Sequence, residues 1–162
     1  MKKNMLKMLV GLAAVLMVLS FADSANAQRR RESRGKMKSK AQVKAVIQRV
    51  EDRVDNFVDN YDESLDRSNL NGSSREDWLM KRARDLEGAT DELSREFDRR
   101  DDWAENKEEV RRCLNVATDI DRNMKNYKFG ATTENNWSRV RYELNSLADV
   151  YNIPKVGANV YK

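Results

Sequence analysis

Four amphipathic stretches joined by short polar connectors predict an all-α fold, an antiparallel up-down-up-down four-helix bundle with coiled-coil-like seams. Three observations carry that expectation. Apolar residues recur at alternating spacings of four and three. The chain has only one Pro and six Gly among 162 residues, so little interrupts a helix. The connectors hold a few residues each, and short connectors make neighbouring helices antiparallel. The stripes are narrow, so the alternative architecture is a pair of long hairpins that completes its core as a homodimer.

The first seam is Val43, Ile47, Val50, Val54, Phe57 and Tyr61, widened by Val46, Val58 and Leu65. Asp66 to Ser73 reads as a turn, rich in Asn, Gly and Ser. Ser73 and Glu76 form a capping-box pattern that opens a second helix along Leu79, Ala83, Leu86, Thr90, Leu93 and Phe97. Gly88, in its middle, costs about 1 kcal/mol against Ala. Arg99 to Asn106 is a charged connector around Trp103, and Asn106 with Glu109 marks a third start.

The third seam is Val110, Cys113, Ala117, Ile120, Met124 and Tyr127, with Gly130 as its stop. Thr133 is the expected cap of a fourth helix along Trp137, Val140, Leu144, Leu147 and Tyr151, with Ala148 beside it. Pro154 ends this helix, because the residue before a proline avoids the helical region. The bundle is therefore expected over 41–153, with a loose tail over 154–162. Ion pairs spaced i, i+4 are expected on the exposed faces: Asp91 with Arg95, Glu96 with Arg100, Glu108 with Arg112. Leu79, Leu86 and Leu93 match Trp137, Leu144 and Tyr151 at sevens, which a shared heptad produces without duplication.

The N-terminal 40 residues differ in kind. Lys2, Lys3 and Lys7 precede an apolar run from Met8 to Ala22, and Ala25-Asn26-Ala27 supplies a small-x-small ending. That is the pattern of a secretory signal over 1–27, cleaved to leave Gln28 first. The alternative is an uncleaved anchor, but the run is short for a membrane span of roughly 20 residues. Residues 28–40 carry Arg29, Arg30, Arg31, Arg34, Lys36, Lys38 and Lys40 against Glu32. Their net charge is +6, whereas residues 41–162 hold 21 cations and 25 carboxylates and are net −4. With almost no apolar residues, the basic segment is expected to be disordered. It is either a solvated leader or an arm for anionic lipid or a cell-surface polyanion. Its cations also oppose export under the positive-inside bias. Nucleic acid is not expected as a partner, since the segment lacks the interleaved aromatics of a single-strand binder.

No catalytic, cofactor or metal site is expected. The chain has no His, which removes the commonest general base and transition-metal ligand. A single Cys, Cys113, cannot close an internal disulfide. It is expected to be a buried thiol, an intermolecular disulfide being the alternative. Asp66, Ser68 and Asp77 mimic the ends of a calcium loop, but the glycine falls at position seven and Leu70 occupies position five. Asp98, Asp101, Asp102 and Glu105 read as a solvated connector. Trp78, Trp103 and Trp137, near helix starts, read as seals of the bundle ends.

Four segments carry a resemblance: Asp66-Arg67-Ser68-x-Leu70-x-Gly72, Ala89-Thr90-Asp91-x-Leu93-x-x-x-Phe97, Ile120-Asp121-Arg122-x-Met124, and the run from Trp137 through Val140, Arg141, Glu143, Leu144, Asn145, Leu147 and Ala148 to Tyr151. They resemble small exported bacterial helical proteins without an assigned activity. The resemblance spans most of 43–153 and implies a helical fold and a bacterial source, with no cofactor or site residues. The Leu-Thr-x-x-Gln signature of helical periplasmic stress chaperones is missing. Function classes therefore rank as an exported, non-enzymatic binding or structural protein of the bacterial envelope, then a chaperone-like stress protein, then a carboxylate-dependent cell-wall hydrolase.

Overall fold

The structure is a computed structural model that describes residues 38–158. The expected signal over 1–27 and the basic segment up to Lys36 lie outside the described residues, as do residues 159–162. Four helices account for most of what is described: α1 (Lys40–Asp66), α2 (Ser74–Arg99), α3 (Lys107–Asn126) and α4 (Ala131–Tyr151). A short 3₁₀ turn, Trp103–Asn106, leads into α3. Among the described residues there is no strand, and no helix is long and apolar enough to cross a membrane. α1 packs on α2 and α4, and α3 packs on the same two helices from the other side.

The seams form the core. Every residue of the α1, α2 and α4 stripes is buried, as are Val110, Cys113, Ala117 and Ile120 of α3. Apart from the buried Thr90, these side chains belong to one apolar cluster shared by all four helices. Burying an aliphatic or aromatic side chain is worth about 1.5–3 kcal/mol, so the seams supply the main driving force for folding. Phe57 ties the layers together, its ring 5.0 Å from that of Tyr61 and 5.1 Å from that of Trp137.

Helix boundaries are set by polar atoms. Ser39 and Gln42 close a reciprocal capping box, so α1 begins three residues before Val43, the first residue of its seam. Lys40 accordingly belongs to the helix and not to the basic segment in which it was expected. Ser73 caps α2 as expected, accepting from the N–H of Glu76, while the Glu76 carboxylate takes the N–H of Gly72. The third helix starts where expected, with Asn106 at its N-cap position, although no side-chain bond forms there and a 3₁₀ turn capped by Asp102, which accepts from the N–H of Ala104, leads into it. Two expected boundaries are corrected. Gly130 is not the stop of α3, which ends at Asn126; it precedes α4, with a φ of 89° that favours glycine. Thr133 is not the cap of α4, because its buried hydroxyl lies one turn inside and donates to the carbonyl of Asn60.

α4 ends at Tyr151, ahead of Pro154 as expected, but the end of α3 and the segment after α4 differ from expectation for one reason, the recruitment of non-helical residues into the core. Met124 and Tyr127 are only half-buried, while Phe129 is buried, its ring 4.9 Å from that of Tyr61. The expected loose tail is folded back as far as the structure describes it, with Val156 only 8% exposed. Among the ion pairs, Glu96–Arg100 is formed at 3.0 Å, but Arg95 pairs with Glu92 and Glu108 with Arg111. Spacings of three and four are nearly equivalent on a helix, and surface pairs are worth little either way.

Candidate functional site

Of the seven cations singled out in the sequence, five (Arg29, Arg30, Arg31, Arg34 and Lys36) lie outside the described residues. Lys38 is exposed just ahead of α1. Lys40 has a structural role: its ammonium donates to the carbonyl of Arg100 and stands 5.6 Å from the centre of the Phe97 ring. That carbonyl ends α2, where a cation complements the helix dipole.

Arg100 organises the connector between α2 and α3. Its guanidinium donates to the carbonyl of Glu105, to Asn106 Oδ1 and to both carboxylate oxygens of Glu109. This pairing holds the Glu109 carboxyl below its usual range. Asn106 is fully buried, and the Tyr151 hydroxyl donates to the carbonyl of Trp103 at 2.8 Å. Trp103 is half-buried, with Tyr151 edge-on at 5.3 Å. The connector's carboxylates, Asp98, Asp101, Asp102 and Glu105, stay exposed as expected, while Asn106 beneath them is buried and held by polar bonds.

A second polar centre lies between α3 and α4. Asp121 is 2% exposed, an unusual place for a carboxylate. Its Oδ1 accepts from the Trp137 indole N–H and from Arg141, both at 3.1 Å, and Oδ2 meets the Lys125 ammonium at 2.6 Å. Burial alone would raise its pKa, but these three donors outweigh burial and hold it below the ordinary value. Lys125 and Arg141 keep much of their length in water, so Asp121 carries the whole burial cost and Trp137 gains its only anchoring bond. Asn123, also buried, accepts from Arg75, whose guanidinium stands over the rings of Trp78 and Tyr127.

The surface between α1 and α2 is acidic. Glu51, Asp55 and Glu87 all have raised pKa values, first from partial burial and then from repulsion by one another and by Asp52, Asp59 and Asp91. Cys113 is buried, and loss of water pushes its thiol up to about 12. At that value it is protonated at neutral pH and a poor nucleophile. The stretch that mimicked a calcium loop is the end of α1, a turn over 67–73 and the first residues of α2; within the turn Ser68 donates to the carbonyl of Leu65 and accepts from the N–H of Leu70. Among the described residues no group of three or more Cys, Asp or Glu side chains is arranged to hold a metal ion.

No family model, curated protein or solved structure matches the chain. The chemistry must therefore be read from its own residues. Sequence reasoning missed Asp121 because it sits one residue past the Ile120 seam, where polar residues are normally solvated. The spacing did hold a signal. Trp137 and Arg141 share one face of α4, and Asp121 and Lys125 share one face of α3, each pair being i, i+4.

Proposed function

We propose that this chain is an exported, non-enzymatic protein of the bacterial envelope, an antiparallel up-down-up-down bundle that works by binding anionic surfaces through its basic segment. One observation carries the reading. The capping box at Ser39 takes Lys40 into the bundle, so the other six cations all precede α1 in the sequence. They are concentrated on a segment of eleven residues, 28–38, and the folded part behind it is net acidic. A polybasic segment next to an anionic bilayer gains about 1 kcal/mol per Lys or Arg. The signal pattern over 1–27 supports export. The antiparallel arrangement is supported by contacts that pair helix starts with helix ends: Lys40 with Arg100, Asn60 with Thr133, and Arg75 with Asn123.

A chaperone-like role needs exposed apolar surface. Among the described residues the exposed large hydrophobics are Trp78 and Tyr142, which stand apart on α2 and α4. That favours binding through charge. The test compares residues 28–162 with a chain beginning at Ser39, which keeps the α1 cap. Both are mixed with vesicles of phosphatidylglycerol and phosphatidylcholine. The longer chain should bind at low salt and release as the Debye length falls from ~10 Å at 0.1 M to ~3 Å at 1 M. Equal binding by the two chains would remove the basic segment from the function.

A further inference from the structure

The segment after α4 crosses back over Asp121. Its contacts are specific: the N–H of Val156 donates to Asn145 Oδ1 at 2.9 Å and that of Gly157 to Thr118 Oγ1 at 3.4 Å. Val156 is buried, and Gly157 has a φ of +75°. A Cβ at Gly157 would stand 2.8 Å from Asp121 Oδ2, closer than such contacts allow. Asp121 is not free to yield, because Lys125, Arg141 and Trp137 hold its two oxygens.

We propose that residues 153–158 form a releasable strap, and that the α3–α4 surface beneath is a peptide seat reading an apolar residue followed by glycine. The seat has a separate device for each element of that pattern. Asn145 and Thr118 accept consecutive backbone N–H groups, the apolar side chain is buried against the bundle, and Asp121 excludes any residue with a Cβ at the second position. In the closed state the chain's own Val156-Gly157 occupies it. Release costs little compared with opening the bundle. Apart from Val156 and the half-buried Ile153, the strap is exposed, and its ion pair, Lys155–Asp149, lies in water on both sides. The hinge is already marked by Asn152, whose φ of 50° makes it the one non-glycine residue with positive φ among the described residues. An external peptide with an apolar–Gly pair would compete with the strap for the seat. This inference rests on α3, α4 and the strap alone and does not depend on export or on the basic segment.

Hydrogen exchange on the unmodified protein tests the release directly. The Val156 and Gly157 amides should exchange about tenfold or more faster than those of Leu144 and Leu147, as expected for a local opening. Gly157→Val should strip protection from the strap while α4 keeps its own. A synthetic peptide with the sequence of residues 153–162 should then bind that variant saturably, and the same peptide with Val for Gly should not. If Gly157→Val fails to fold, Val156→Ser unseats the strap without a clash and serves in its place. The proposal is overturned if the strap amides exchange only together with α4, or if the peptide does not bind a folded variant whose strap is unprotected.

Discussion

Replacing Asp121 by Ala tests whether the buried carboxylate holds α3 against α4. The substitution removes three bonds of unequal worth. The Trp137 indole N–H, on a residue only 4% exposed, is left buried without its partner, which costs about 1–3 kcal/mol. The Lys125 and Arg141 side chains are 62% and 41% exposed and rehydrate, so each lost pair costs about 0–1 kcal/mol. The expected loss is therefore about 1–5 kcal/mol, with the indole the largest single share. Urea unfolding followed by circular dichroism measures it. In a Trp137→Phe background the same substitution should cost about 1–3 kcal/mol less, because no indole remains to be orphaned. A loss below about 0.5 kcal/mol, or no coupling between the two sites, would refute the assignment of Asp121 as the anchor of Trp137.

Other outcomes follow from the same structure. Gly88→Ala should stabilise the protein by about 1 kcal/mol, since Gly88 is mid-helix and nothing lies within 4 Å of its missing Cβ; urea midpoints check this. Cys113 should react with a thiol reagent only as fast as the protein opens, and rapid labelling of the native protein would contradict its burial. Stability should also pass through a maximum in mild acid. Glu51, Asp55 and Glu87 have folded pKa values above their unfolded ones, so their ionisation opposes folding at neutral pH and that opposition fades as pH falls towards roughly 4–5. Asp121 has the opposite sign: its contribution is complete above the unfolded value and is lost as pH falls through its depressed folded value. Urea midpoints falling steadily from neutrality downward would contradict this balance, and Asp121→Asn should flatten the acid limb.

The seams were legible because burial in a helical bundle follows a fixed spacing, and every stripe residue of α1, α2 and α4 is in the core. The boundaries were less so. Asn106 does stand at the helix start, but its side chain is taken by Arg100 instead of capping; Thr133 reaches across to Asn60; and Gly130 opens α4 instead of closing α3. Phe129 and Val156 lie outside any periodic run, so no spacing marked them as core. The same holds for the strap, whose glycine answers both a positive φ and the approach of Asp121. The α1 start was hidden for a simpler reason, because Ser39 and Gln42 sit among cations that made the region look uniformly basic.

Where this chain resides and what holds it there decide whether it is an exported protein bound through its basic segment. The direct measurement is the intact mass of the protein recovered from its own cells, after separating cytoplasm, soluble envelope and membranes and washing the membranes with high salt. The expected result is a chain beginning at Gln28, bound to the membrane fraction at low salt and released by the wash. Full-length chain starting at Met1 that resists the wash would make the first 27 residues an anchor, and mature-length chain indifferent to salt would leave the basic segment without a role.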